Sequence, residues 1–159
     1  MNILDIWAAP WSFLQVIGKI IGEKWKAVGI DIQRIDPNFG FANIHLLQES
    51  VFEFEKIQTY LKSIDIQKFD AITSDIAPST TWITWVDQYK SVELNLAILD
   101  VADVFLAKWW NLLLKVFVWE DILDLIWPIK QKYKKLSRFK PKACRDRSFE
   151  EYFICLGKL

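Results

Sequence analysis

Apolar segments of two alternating kinds run through this 159-residue chain, and the alternation strongly constrains its fold. Some have the three-to-four-residue spacing of a helix, and the others are short and almost continuously apolar, as in buried strands. The predicted helices are Ser12–Lys24, Phe52–Ile64, Val86–Ala107 and Asp121–Lys134. The predicted strands are Asn2–Ile6, Ala27–Ile32, Asn43–Leu47, Phe69–Thr73, Asn111–Val118, Leu136–Phe139 and Tyr152–Leu156. This order predicts one α/β domain over 1–159, with a mostly parallel sheet and helices on both faces.

Composition and charge exclude several classes of protein. With 52% hydrophobic residues, the chain can bury a core and is not a disordered protein. Lys+Arg and Asp+Glu each number 20, so the formal net charge is zero. One histidine, His45, and two cysteines, Cys144 and Cys155, are too few for an imidazole-based metal centre, a four-ligand zinc site or a disulfide scaffold. We therefore expect no metal and structural roles for these three residues.

The apolar segments give no sign of secretion or of a membrane span. The first ten residues contain Asp5 and no basic stretch, unlike a signal peptide. Charged residues interrupt the most apolar stretch, Leu94–Trp119, so no continuous run of about 18 apolar residues is present. We expect a cytoplasmic protein with no membrane contact, and a monomer because no surplus apolar stretch calls for a partner.

Polar side chains in or after three predicted strands are candidate functional residues. Lys115 lies within LLLKVFV, where loss of hydration favours a neutral amine and hence a general base. Asp75 directly follows the strand FDAIT, at the end where parallel sheets bind ligands. Asp31 ends a strand 20 residues after Trp11, as the ribose-binding carboxylate of a nucleotide fold does. The structural alternatives are a snorkelling or ion-paired lysine and aspartates that cap turns.

Positive charge is concentrated near the C-terminus. Residues 130–147 contain nine basic residues against a single acid, Asp146, and the rest of the chain has 11 bases and 19 acids. The nine are Lys130, Lys132, Lys134, Lys135, Arg138, Lys140, Lys142, Arg145 and Arg147. A solvated helix face explains the first few, but the run continues through a predicted strand and a loop. This continuity favours binding to the phosphates of RNA or DNA.

Five segments in order carry a family resemblance: DIWAAPWSF, VGIDIQRIDP, FDAITSDIAPS, LLLKVFVWED and KPKACRDRSFEEYFICLG. Across essentially the whole chain this set resembles the FtsJ/RrmJ-like ribosomal RNA 2'-O-ribose methyltransferases, the large-subunit rRNA methyltransferase E family. The resemblance implies a Rossmann-like methyltransferase fold with a seven-stranded sheet whose last strand is antiparallel. It also implies S-adenosylmethionine (SAM) as cofactor and large-subunit rRNA as partner, with methyl transfer to a ribose 2'-hydroxyl, most often of a uridine.

The resemblance also implies functional residues. The catalytic set is Lys115, Asp75 and Glu150, with the lysine as general base and the carboxylates orienting it and the hydroxyl. Nearby carboxylates favour the charged amine, so they oppose the effect of burial on Lys115.

A second set implied by the resemblance binds SAM: Trp11, Phe13, Asp31, Ser50 and Asp75. Asp31 corresponds to the carboxylate that holds the ribose of SAM, and Trp11 and Phe13 fall in the loop around its methionine part. Ser50 stands where the family has an aspartate that contacts adenine, and Glu49 is the candidate to replace it.

Two features depart from the family pattern. The family has a further catalytic lysine before the first strand, and this sequence begins at that strand. The departure implies either a fragment or the loss of one catalytic group.

The second departure concerns tryptophan. The chain has 9 Trp but only 5 Gly, and seven of the tryptophans stand where the family has glycine. They are Trp7, Trp11, Trp25, Trp82, Trp109, Trp110 and Trp119. Tryptophan is strained wherever φ must be positive. Our hypothesis is that UGA codons meaning glycine in the source organism were translated as tryptophan, and UGG at most of these sites would contradict it.

Three functions are compatible with these observations to different degrees. The first is a SAM-dependent RNA ribose methyltransferase. The second is a degenerate, non-catalytic RNA-binding module, which applies if the tryptophans are genuine and the N-terminal lysine is absent. A small-molecule methyltransferase fits the basic segment poorly. A SAM-binding assay separates the first two.

Overall fold

The computed structural model describes residues 1–9, 12–36, 40–77, 84–118, 122–141 and 149–159. The strands are β1 (Ile3–Ile6), β2 (Ala27–Asp31), β3 (Ile44–Gln48), β4 (Phe69–Ser74), β5 (Leu106–Phe117), β6 (Tyr133–Phe139) and β7 (Glu150–Lys158). The helices are α1 (Ser12–Ile21), α2 (Phe54–Ser63), α3 (Thr84–Phe105) and α4 (Ile122–Lys132). None of the helices in the described ranges combines the length and the apolar character needed to cross a membrane.

All seven strands form one sheet in the order β3-β2-β1-β4-β5-β7-β6. Neighbouring strands from β3 to β5 are parallel, whereas β7 is antiparallel to both β5 and β6. The predicted α/β class, the seven strands and the antiparallel last strand are therefore confirmed. The carboxyl ends of β1, β2, β4 and β5 meet at one edge of the sheet, which is where parallel sheets bind ligands.

The two faces of the sheet carry separate cores. Ile3 and Ala27 pack on one face with Leu14 and Ile17 of α1. Leu4 and its neighbours on the other face pack with residues of α2, α3 and α4. Gly29 of β2 allows α1 to approach closely, because a Cβ there would lie 2.5 Å from Leu14. The prediction of helices on both faces is confirmed.

Several predicted boundaries were wrong. Helix α1 ends at Ile21 instead of Lys24, because Gly22 has a φ of 64° and turns the chain. Helix α3 ends at Phe105 instead of Ala107, and β5 begins at Leu106, five residues before the predicted Asn111. The first part of β5 pairs irregularly with β4, with a register shift between Phe69 and Ala71. Its sequence therefore lacks the continuous apolar run that marks the rest of the strand.

Two tryptophans adopt the left-handed conformation that favours glycine. Trp7 has a φ of 67° and Trp109 a φ of 72°. Of the other tryptophans in family glycine positions, Trp25 and Trp110 do not have positive φ, and Trp11, Trp82 and Trp119 lie outside the described residues. A side chain in this conformation costs about 1–2 kcal/mol relative to glycine.

Replacing Trp109 with glycine should therefore stabilise the protein. Trp109 is 62% exposed. In the part of the chain that the structure describes, its ring makes one cation–π contact, with the Lys134 ammonium 4.1 Å from the ring centre. The relief of strain exceeds the loss of an exposed cation–π contact, which is worth about 0.5–1 kcal/mol. We expect Trp109→Gly to raise the free energy of unfolding by about 1 kcal/mol in urea denaturation. Trp110→Gly, without the positive φ, should give no gain, and an equal gain there would contradict the strain argument.

Candidate active site

Lys115 and Asp75 form an ion pair at the carboxyl ends of two adjacent parallel strands. Asp75 directly follows β4, and Lys115 lies near the end of β5. The Lys115 ammonium is 3.1 Å from the Asp75 carboxylate, with 15% and 33% of the two side chains exposed. The lysine is thus largely buried but still reaches the edge of the sheet. The structure therefore brings together two of the three residues that were predicted to be catalytic.

Tyr152 of β7 completes this arrangement. Its hydroxyl donates to the Asp75 carboxylate over 3.4 Å, and its backbone lies directly opposite Lys115. Directly opposed residues of antiparallel strands have their side chains on the same face. Phe13 of α1 meets the Tyr152 ring edge-on at 6.3 Å. Sequence reasoning missed Tyr152, although it lies two residues after the predicted Glu150.

Glu150 begins β7 on the same face as Tyr152, because side chains two residues apart share a face. Its backbone partner is Phe117, so Glu150 is a diagonal neighbour of Lys115. Diagonal neighbours are separated by about 7–8 Å, so Glu150 lies near the ion pair. Its predicted catalytic role remains a prediction.

Two buried polar residues of α3 hold β5 at Lys115. Pairing of β5 with β4 ends at Leu114. Beyond it, the Asn95 amide donates to the Lys115 carbonyl over 3.1 Å, and the Phe117 N–H donates to the Ser91 hydroxyl over 3.2 Å. Asn95 and Ser91 are both almost completely buried. These bonds fix the backbone from which the Lys115 side chain extends.

A second part of the site is a cavity of about 270 Å³ beside the ends of β1, β2 and β3. Its polar lining residues are Asp31, Glu49 and Ser50, and Trp7 and Phe52 are among the apolar ones. The buried Asp31 carboxylate accepts bonds from the Ala9 and Gln33 N–H groups, both at 2.8 Å. Asp31 therefore ties the first strand–helix loop to β2 at the cavity wall.

The lining residues fit the adenosine part of SAM. Apolar side chains form walls for a flat base. The carboxylates of Asp31 and Glu49 also line the cavity, where they can accept hydrogen bonds from polar groups of the ligand. Glu49 also pairs with Lys56 at 2.9 Å, and this contact lowers the pKa of the carboxyl. The misfit is Trp7, a bulky residue in the lining. The volume lies below the range of about 300–1,000 Å³ usual for small-molecule sites.

The predicted SAM-binding residues separate into three groups. Asp31 and Ser50 line the cavity, together with the alternative Glu49. Phe13 and Asp75 do not line it, and instead contact Tyr152. Trp11 lies outside the described residues.

Asp5 is a buried carboxyl that sequence reasoning missed. It lies within β1, is 1% exposed, and accepts a hydrogen bond from the Thr73 hydroxyl over 2.6 Å. Burial, with smaller contributions from the neighbouring charges of Asp75 and Asp31, raises the pKa of Asp5 to about 7 against the opposing effect of the Thr73 hydrogen bond. The available signal was an acidic residue inside the short apolar strand ILDI.

Asp5→Asn should stabilise the protein at high pH. A carboxyl whose pKa rises from 3.8 to about 7 on folding favours the folded state when protonated. Wild-type stability should therefore fall as pH rises from about 4 to 7. The difference from Asp5→Asn should approach about 4 kcal/mol above pH 7 and vanish near pH 4. Urea denaturation across this range measures it, with the exposed Asp65→Asn as control. A pH-independent difference would contradict the prediction.

The basic segment follows the outer edge of the sheet. Strand β6 carries Lys134, Lys135 and Arg138, and Lys140 follows it. Arg138 pairs with Glu151 at 2.7 Å. Because β6 runs in the same direction as β5, its end lies at the edge of the sheet that carries Lys115. Lys142, Arg145 and Arg147 lie outside the described residues.

The other residues of interest show no catalytic arrangement. Burial raises the pKa of the Cys155 thiol to about 12, and burial and the charge of Lys26 lower the pKa of His45. Cys144 lies outside the described residues. Within the described ranges, no three His, Cys, Asp or Glu side chains are grouped to hold a metal ion.

The strand order, the antiparallel β7 and a cavity beside the first strand–helix loop define a Rossmann-like methyltransferase. The family model for FtsJ-like methyltransferases matches residues 1–158. This chain therefore belongs to the FtsJ-like methyltransferase family.

Individual relatives agree with this assignment. Ribosomal RNA large subunit methyltransferase E of Nitratidesulfovibrio vulgaris (strain DP4) is 35% identical over 158 residues, covering 99% of this chain and 76% of the relative. The pre-rRNA 2'-O-ribose RNA methyltransferase FTSJ3 of Pongo abelii is 33% identical over 158 residues, covering 99% of this chain and 18% of that longer protein. A ribosomal RNA methyltransferase of Plasmodium falciparum has a solved structure with a TM-score of 0.84 and 25% identity, covering 99% of this chain and 86% of that one.

Proposed function

We propose that this protein transfers a methyl group from SAM to a ribose 2'-hydroxyl of large-subunit rRNA. The observation that carries the proposal is the Lys115–Asp75 ion pair, which lies beside a cavity suited to a nucleoside cofactor. Relatives named as large-subunit rRNA methyltransferases support this choice of substrate. With ribosomal RNA as substrate, we expect the protein to act in the cytoplasm.

The chain's own residues supply proton transfer and orientation. When bound, SAM supplies an electrophilic methyl group. Lys115 accepts the hydroxyl proton as general base, and Asp75 holds its amine in place while Tyr152 holds Asp75. Because an amine paired with a carboxylate is charged, Lys115 must first release a proton. The partial exposure of both side chains gives that proton a route to water. Asp31, Glu49 and Ser50 would hold the cofactor.

The basic edge strand is suited to hold the RNA. Lys134, Lys135 and Lys140 lie along β6 or directly after it and are exposed, and the strand ends beside the catalytic face. Lysines in such a row neutralise phosphates and release counterions, so RNA affinity should depend steeply on salt.

Neutralising these three lysines should flatten the salt dependence of RNA binding. Each phosphate contact contributes roughly 0.7–0.9 to the slope of log affinity against log salt. We expect the triple change of Lys134, Lys135 and Lys140 to Gln to reduce the slope by about 2–3, measured by filter binding. The same change at three exposed lysines elsewhere, Lys19 on α1, Lys24 in the loop after α1 and Lys62 on α2, should leave the slope unchanged. A slope unaffected by the first triple variant would place the RNA elsewhere.

Transfer of labelled methyl from SAM to rRNA tests the proposed function. The chain should be assayed as written and as a seven-glycine variant with Trp→Gly at positions 7, 11, 25, 82, 109, 110 and 119. We expect label in large-subunit rRNA with the seven-glycine variant. RNA binding without SAM binding or label in either form would favour the non-catalytic RNA-binding module instead.

A further inference from the structure

Phe139 is an exposed aromatic residue in line with the catalytic lysine. It is 53% exposed at the end of β6. Tyr152 is the direct backbone partner of Phe139 on one side and of Lys115 on the other. Directly opposed side chains share a face, so Lys115, Tyr152 and Phe139 form one row across three adjacent strands. With strands about 4.8 Å apart, the Phe139 backbone lies roughly 10 Å from that of Lys115.

We propose that Phe139 stacks on an RNA base at or next to the nucleotide that is methylated, and so positions its ribose over Lys115. This inference rests on the proposed function, since it assigns the base to the same site. An exposed ring beside a catalytic group has no packing role that requires its size, but it offers the flat surface on which bases stack.

The charges around Phe139 favour a nucleic acid as its occupant. Lys140 follows it directly, and Lys135 lies on the same strand and the same face. Arg138 points to the opposite face, where its guanidinium lies over the Phe153 ring at 5.4 Å and pairs with Glu151. The face with Phe139 therefore combines an aromatic ring with the positive charge of Lys135, and Lys140 adds a second charge just after the strand. Rings beside positive charges hold single-stranded RNA through its bases and phosphates.

Binding measurements with two probes test the proposal without depending on catalysis. A 20-nucleotide oligouridylate offers bases and phosphates, whereas inorganic polyphosphate offers phosphates alone. Phe139→Ala should weaken oligouridylate binding about 5- to 150-fold, the range measured for the loss of one stacked base. Phe139→Leu should lose as much, because it keeps an apolar side chain but no ring, and Phe139→Trp should bind within about 2-fold of the unchanged protein. Polyphosphate binding should be equal for all four proteins.

Trp127→Ala is the matched control, because Trp127 is 69% exposed on α4, which packs on the opposite face of the sheet. It should bind oligouridylate normally. Unchanged binding by Phe139→Ala, equal losses with both probes, or full retention by Phe139→Leu would each overturn the stacking role. These outcomes are separate from a failure of the proposed function, which would be the absence of methyl transfer by the seven-glycine variant with Phe139 intact.

Discussion

Lys115→Ala should reduce the rate of methyl transfer to rRNA about 10²- to 10⁴-fold, the usual effect of losing a general base. Affinity for SAM should change little, because Lys115 lies at the ion pair with Asp75 and does not line the nucleoside-sized cavity. The measurement combines single-turnover kinetics with calorimetry of SAM binding, in the seven-glycine background.

Lys115→Arg separates the chemical role from the structural one. Arginine can keep the ion pair with Asp75 but stays protonated, so it cannot accept the hydroxyl proton. We expect Lys115→Arg to be nearly as inactive as Lys115→Ala, while the exposed Lys62→Ala on α2 retains kcat. High activity in Lys115→Arg would show that Lys115 serves only to anchor Asp75.

Trp7→Gly should increase the affinity for SAM about 10- to 150-fold. Trp7 lines the cavity, is partly buried against the core, and has a backbone φ of 67°. Because the cavity of about 270 Å³ is small for a nucleoside, SAM can enter only if the Trp7 side chain moves out of the wall, at a cost comparable to exposing a large buried side chain, about 1.5–3 kcal/mol. Glycine removes both this competitor and the backbone strain.

Calorimetry of SAM binding with three variants distinguishes the causes. Trp7→Ala should recover most of the affinity, since it opens the cavity, but it should be less stable than Trp7→Gly because a Cβ remains at positive φ. Trp110→Gly, away from the cavity, should not change the affinity. Equally tight binding by the unchanged chain would mean that this cavity is not the SAM site, and that Trp7 does not face the cofactor.

The sequence predicted the fold well, because helix and strand periodicities are local properties. It failed at boundaries set by tertiary pairing, as at Leu106, which joins β5 through its pairing with Phe69. It singled out Lys115 as a lysine inside an apolar strand and Asp75 as the residue that follows another strand. It did not reveal Tyr152 or Asn95, because their roles depend on which strands and helices become neighbours.

The tryptophans are a case in which the sequence pointed to a backbone feature before the structure was known. Sequence reasoning alone suggested that glycine belongs at Trp7 and Trp109, and their positive φ values support this at both positions. The hypothesis that UGA was read as tryptophan concerns the gene, and the codons at the seven positions test it.

The most direct test of the role proposed for the Lys115 site is the chemical position of the transferred methyl group. Large-subunit rRNA methylated by the seven-glycine variant is digested to nucleosides and analysed by mass spectrometry. If Lys115 acts as general base on a ribose hydroxyl, the digest should contain a single 2'-O-methylated nucleoside. This nucleoside should be missing when Lys115→Ala is used. A methyl group on a base, or an unchanged 2'-O-methyl yield from Lys115→Ala, would contradict the role assigned to this site.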